Sequence, residues 1–218
     1  MKRTNRQLYK YTNDKADESN RPYMKPALFN TLYEAARLGW MKLKHKDYET
    51  HESVRRDLAP FDRHYLFGDT RTVRLSDLPI ANEHRFLTGV HADFTLSCNG
   101  SDLTYTLPVV PIAKDKAFAL LTDPFGQPDD TEPCYIESSD NGGEFLKILS
   151  TNVPKAVTVH YLKYPAAMDV INNPDGLTEE GEAQQLEIVA MLLEAYFADI
   201  ENFNSSQKKR EEIINSGI

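Results

Sequence analysis

The sequence has two cysteines, Cys98 and Cys134, one tryptophan, and no apolar run near the roughly 18 residues that suggest a membrane span. Without a CxxC pair or a Cys/His cluster, a disulfide framework and a structural zinc site are excluded, and two reduced thiols in the core or on strands are expected. The N-terminus MKRTNRQLYKYTNDK is basic but has no apolar h-region. Neither secretion by that route nor membrane insertion is expected, and synthesis in the cytosol is. Nucleotide and hydrolase signatures are missing too: there is no GxxxxGK[ST], no GxGxxG after a strand, no HExxH and no GxSxG.

The six histidines, His45, His51, His64, His84, His91 and His160, are scattered. Asp47 and His51 fall at i, i+4 on an expected helix, but two ligands make a weak metal site and a surface pair is the simpler reading. Asp123, Asp129 and Asp130 share a loop without EF-hand spacing or its closing glutamate, which fits a solvated turn better than calcium. Glu179 and Glu180 suit the positive end of a helix dipole. No catalytic residue, metal or cofactor is predicted, and the chain is not expected to be an enzyme.

The net charge of −8 argues against nonspecific nucleic-acid binding by the whole surface. Its distribution is uneven. Over residues 1–25, Lys2, Arg3, Arg6, Lys10, Lys15, Arg21 and Lys25 face only Asp14, Asp17 and Glu18, whereas 165–201 holds nine acidic residues and no Lys or Arg. A basic end and an acidic end suit head-to-tail contact between copies; a solvated helix face is the alternative. Residues 1–25 lack apolar periodicity and read as a flexible basic arm with Tyr9, Tyr11 and Tyr23 as contact area.

Pro26 suits a first helical position, and the pattern from there to Lys44 is helical. Leu28, Leu32, Ala35, Gly39 and Leu43 form one stripe, with Phe29, Tyr33, Ala36 and Trp40 beside it; Ala35, Ala36 and Gly39 would allow a close partner helix. A shorter helix follows from 47 to about 59, stopped by Pro60. From Arg71 the period changes to two. Residues 85–98 alternate as a strand and meet Asn99-Gly100, a two-residue hairpin signal that pairs Cys98 with Ser101, Leu96 with Leu103, Phe94 with Tyr105 and Ala92 with Leu107. A strand is expected over 117–121, a second hairpin around Asp140-Asn141-Gly142-Gly143, and a central strand at AVTVHYLK.

The longest helical pattern is 179–203, with Thr178 as a plausible N-cap and Leu186, Val189, Leu193, Tyr196, Ile200 and Phe203 as its buried stripe. The chain is therefore expected to be α+β: N-terminal helices and a long C-terminal helix packed together, with an inserted antiparallel β module. The boundaries are an arm at 1–25, a helical domain at 26–64 and 165–204, a β module at 65–164, and a tail at 205–218.

This layout, with the strand AVTVHYLKYPAAM, an Asn/Pro/Asp/Gly connector, the acidic helix LEIVAMLLEAYFADIENF and a KKREEI tail, resembles the head-tail connector or adaptor proteins of tailed bacteriophages, particularly the ring proteins of short-tailed, crAss-like phages. The resemblance covers most of the chain and is strongest from Val157 onward. It departs from the smallest, nearly all-helical adaptors in its larger sheet. It implies a virion protein at the head-tail junction, assembled in the host cytoplasm as a ring, twelve-fold to match the portal. Its partners would be further copies of itself, the portal protein and a tail or second ring protein, with DNA passing through without sequence-specific binding and no membrane. On that resemblance Ile188, Met191, Leu192 and Ala195 meet the next subunit. Lys208, Lys209, Arg210, Ile213 and Ile214 dock to portal or tail, and Lys2, Arg3, Arg6, Tyr9 and Tyr11 bind a neighbour. The rival is a stand-alone binding module using exposed Tyr105, Phe125 and Tyr135 for a carbohydrate or peptide.

Overall fold

The polar N-terminal stretch folds as a helix, α1 (Asn5–Glu18), in place of the expected arm. A computed structural model describes residues 2–19, 21–78, 84–98, 101–123 and 126–215. Thr4 closes a capping box: its hydroxyl accepts from the Gln7 backbone N–H at 3.3 Å, and the Gln7 side chain accepts from Thr4 N–H at 3.0 Å. Leu8, Thr12 and Ala16, at successive steps of four, are buried with Asn5 and Asn13. These asparagines give the segment its arm-like composition, yet both bond backbone groups of other segments. Asn5 Nδ2 donates to the Asn173 carbonyl at 2.7 Å, and Asn13 Oδ1 accepts from Met24 N–H at 2.7 Å. The free amides of Asn5 and Arg6 in the first turn donate to the carbonyls of Gly176 and Pro174.

The chain divides into two compact units, Met1–Pro60 with Ala166–Ile218, and Phe61–Pro165. The first is helical. It holds α1, α2 (Pro26–Lys46, with proline in its first turn), α3 (Glu52–Leu58) and the long C-terminal α5 (Glu182–Asn215). Helices α2 and α5 pack together, and α1 also lies against α5. On α2 the aromatic stripe is the buried one: Phe29, Tyr33, Ala36, Trp40 and Met41 face inward, while Leu28 and Leu43 are exposed. Both stripes of α2 are apolar; bulky aromatics remove more area from water, so they take the core. Gly39 faces Met191 at an ordinary distance, 3.5 Å for a built Cβ, so no close backbone approach depends on it. α3 starts at Glu52, after a turn over Asp47–Thr50, which takes Asp47 and His51 off a shared helix face.

The second unit contains two sheets over one core. In the first, β1 (Asp62–Phe67), β8 (Ala156–Lys163), β3 (His84–Cys98) and β4 (Ser101–Pro108) run in that order and are all antiparallel. In the second the order is β2 (Thr72–Arg74), β7 (Gly143–Leu149), β6 (Cys134–Asp140) and β5 (Val110–Pro111), with β5 parallel to β6. Val73, Val90, Ala92, Phe94, Leu146, Ile148, Val157 and Val159 fill the core from both sheets. The fold class is α+β, as the sequence indicated.

The β3–β4 register reproduces the expected pairs, Ala92 with Leu107, Phe94 with Tyr105, Leu96 with Leu103 and Cys98 with Ser101; the Asn99-Gly100 turn lies outside the described residues. The second hairpin pairs Asp140 with Gly143, whose φ of +105° is tolerated because glycine has no Cβ. β8 is central, as its two apolar faces suggested. The stretch expected as a strand at 117–121 is instead α4 (Lys114–Thr122). Its KDKAFALLT sequence is rich in Ala, Leu and Lys, helix formers without a β-branched residue until the last position.

Candidate assembly surfaces and the buried charge network

Four residues assigned from sequence to a subunit seam have different places on α5. Ile188 and Leu192 are fully buried within the chain, Met191 is half-buried, and Ala195 is exposed. Buried with them are Gln185, Val189 and Tyr196, while Leu186 and Leu193, expected in the core, are only half-buried. Ile188 and Leu192 therefore cannot form the seam. The phase was misread because residues 186–193 are apolar nearly all round the helix, and because the decisive core residue is polar. Gln185 exchanges two hydrogen bonds with the Arg3 backbone, each 3.1 Å, and donates to the Thr178 hydroxyl at 2.9 Å. Thr178 is thereby engaged by a side chain, and α5 begins beyond it, with Gln185 N–H donating to the Gly181 carbonyl.

The basic N-terminus meets the acidic C-terminal segment inside one chain. Arg3 pairs with Glu182 at 3.4 Å, Arg6 with Asp175 at 3.8 Å and Arg21 with Glu201 at 2.7 Å; Lys2 donates to the Glu179 carbonyl at 2.9 Å. Tyr9 donates to the Met24 carbonyl at 2.8 Å, and its hydroxyl is pushed up to about 12, first by burial. Tyr11 carries the Arg3 guanidinium over its ring at 4.7 Å. These five residues were assigned to a neighbour; internal partners occupy them, and charge complementarity between copies is not required. The expected tail is, through Asn215, a continuation of α5, so Lys208, Lys209, Arg210, Ile213 and Ile214 lie on a helix.

The helical unit also buries a charge network. Arg37 and Glu180 are both fully buried and pair at 3.2 Å. The same guanidinium donates to both Glu34 oxygens, at 2.7 and 2.6 Å, and to the Ala166 carbonyl at 2.6 Å, while Met168 N–H donates to Glu34. Arg37 thus ties α2 to the segment leading into α5. The Tyr33 hydroxyl beside it is raised by burial and then by the Glu180 charge. Sequence reading placed Glu180 at a helix dipole. The available signal was Arg37, an arginine in register with Tyr33, Trp40 and Met41, since a charge on a core face implies a buried counter-charge.

In the sheet unit three scattered histidines come together. His64 lies directly opposite His160 in the β1–β8 register, and His91 flanks His160 from β3; ring centres are 5.7 and 5.1 Å apart. Half-buried His160 has its pKa lowered by burial, then by His91, with His64 acting the same way and Asp62 opposing. The folded chain therefore binds fewer protons at this site than the unfolded chain. The stabilisation is complete above the ordinary value of 6.5 and is lost as pH falls through the lowered value. Urea titrations from pH 8 to 5 should show stability falling in the acid half of that range, with a shallower fall in His160→Gln. An unchanged slope in the variant would refute the assignment.

Among the described residues no group of three His, Cys, Asp or Glu side chains is set to hold a metal ion. Asp129 closes a turn, its Oδ1 accepting from Thr131 N–H at 2.7 Å and Glu132 N–H at 2.9 Å, and Asp130 accepts from Asn152 N–H at 2.8 Å. The thiol of half-buried Cys134 is free and pushed up by burial.

Two unlike features stand on the surface of the sheet unit. β8 pairs with β3 only as far as Asp93, so Phe94–Cys98 pair with β4 alone. At the base of this ribbon Phe94 is buried with Tyr105 against it; toward the tip Leu96 and Leu103 are 50% and 64% exposed. The other feature is a cavity of about 620 Å³ at the far end of β4 with a mixed lining, apolar from Leu107, Val110, Leu120 and the prolines, and polar from Gln127, Asp129, Thr131 and Glu132. Of the aromatics assigned to a ligand-binding sheet, Tyr135 is buried, Tyr105 packs on Phe94, and Phe125 lies outside the described residues.

In comparisons with known proteins, no family matches the sequence and no curated protein does.

Proposed function

We propose that this chain is a structural subunit of a ring between the portal and tail of a tailed bacteriophage, extending the channel through which DNA passes. The observation that carries this reading is the length of α5. At 34 residues it is roughly 51 Å long, against roughly 32 Å for the 21 residues of α2. A helix longer than those it packs against extends past them, and a rod ending in KKREEII is suited to dock into another protein.

Two further features support assembly. The net charge of −8, with Glu194 and Asp199 exposed on α5, favours a surface that repels DNA and lets it slide. The exposed leucines of the β3–β4 ribbon and the mixed cavity beyond β4 are unlike surfaces, which suit a heterologous interface, the kind that closes rings. The binding-module reading loses support, because Tyr135, one of its proposed contacts, is buried and Tyr105 is half-buried against Phe94.

Negative-stain electron microscopy and native mass spectrometry of the full chain, alone and with a candidate portal protein, test the proposal. Rings, alone or seated on the portal, are expected. A chain that stays monomeric and joins neither portal nor tail complexes would overturn it.

A further inference from the structure

We infer that the sheet unit holds a small-molecule site, in which Arg71 and Lys147 bind an oxyanion, the phosphate or carboxylate group of a soluble ligand. The site belongs to each chain and stands whether or not copies assemble into a ring.

The two side chains line a second cavity, of about 420 Å³, formed by the end of β7, the last turn of α4 and the loop that follows it. Leu121 and Pro128 give it apolar surface, while Gln127, Ser150 and Thr151 give it polar groups. Its volume lies within the range of ligand pockets. The lining is selective in charge: it contains Arg71 and Lys147 and no carboxylate, in a chain with 33 acidic and 25 basic residues. The larger cavity beyond β4, by contrast, carries Asp129 and Glu132.

The sheet places both cations and leaves them without counter-ions. Lys147 stands opposite Thr72 on β2 and Ile136 on β6, so its partner on neither strand is charged. Arg71 lies just before β2, and its carbonyl accepts from Ile148 N–H at 2.7 Å, which sets it beside Lys147. The Arg71 guanidinium is oriented by one bond, donated to the Thr151 carbonyl at 2.5 Å; its other N–H groups are available to an oxyanion. Arg74 has its own partner in Asp140 at 2.9 Å, whereas Arg71 and Lys147 form no ion pair among the described residues. Asp130, two residues beyond Pro128, is occupied by the backbone and side chain of Asn152. In the helical unit the charge of Arg37 is met from within the chain by Glu180. Here the chain supplies no counter-charge, and two like charges on one cavity raise the local concentration of anions.

Titrations of the full chain with inorganic phosphate and with acetate, each against sodium chloride at matched ionic strength and followed by amide chemical shifts, test the site. Saturable shifts centred on Arg71, Lys147, Ser150 and Thr151 are expected with at least one of the two anions, and the tighter names the charged group of the ligand. Lys147→Gln should weaken that binding about tenfold or more, as the loss of one charge-assisted hydrogen bond does. Lys147 is exposed, so the variant should keep the wild-type circular dichroism and thermal midpoint. Lys155→Gln removes the same charge from an exposed position outside the cavity and should bind as the wild type does. Equal weakening in the two variants would reduce the effect to the field of the whole surface and overturn the site. Undiminished binding in Lys147→Gln, or no saturable shift with either anion in the wild type, would overturn it too.

Discussion

Leu192→Asp will unfold the helical unit, whereas Leu193→Asp, one residue along the same helix, will leave it folded. Leu192 is fully buried beside Ile188 and Val189, where aspartate would forfeit the leucine's transfer energy, leave a cavity and place an unpaired carboxylate in the core. Together these effects should cost about 5 kcal/mol or more, comparable to the whole net stability of a domain. Leu193 is half-buried, so its substitute keeps access to water, and a loss of about 1 kcal/mol is expected. Trp40 is a built-in reporter. It is the sole tryptophan, it is buried in the helical unit, and its indole N–H donates to Glu187 on α5 at 2.7 Å. Its fluorescence during urea denaturation therefore follows that unit and not the sheet unit. Equal midpoints for the two variants would show that the inward face of α5 is wrongly assigned.

The second large effect is expected at Arg37. Arg37→Met preserves much of the volume but leaves the fully buried Glu180 without its counter-ion, and removes the donor from the Ala166 carbonyl. Breaking a buried pair from one side typically costs about 3 to 5 kcal/mol, because the surviving charge keeps its desolvation penalty. Removing both charges is a different experiment. In Arg37→Met/Glu180→Leu no charge of that pair is stranded, and much of the loss should return, since well-packed apolar replacements of buried pairs are often neutral. Glu34 moderates the single variant, being half-buried and able to turn toward water. A single variant within about 1 kcal/mol of wild type, by Trp40 fluorescence, would mean that the network does not hold α2 to the segment before α5.

The β3–β4 register could be read residue by residue, because strand periodicity is two and a one-residue slip would move every side chain to the opposite face. For α5, several helical stripes each contained enough apolar residues to be the buried one. The loss of the seam at Ile188 and Leu192 follows directly. The histidine row was similarly hidden, since His64, His91 and His160 are remote in sequence and become neighbours only through the β1–β8–β3 order.

Local pattern by itself determined the α+β class, the start of α2 at Pro26, the two hairpins and the central place of β8, because each depends on neighbours within a few residues. Only the tertiary structure decided that the N-terminus is a packed helix, that Gln185 and Leu192 face inward, and that Arg37 meets Glu180. A polar group can be buried only where a partner waits, and here the partners of Asn5, Gln185 and Arg37 come from the opposite end of the chain. Composition records that such groups are polar. Burial is settled by what the fold brings to them.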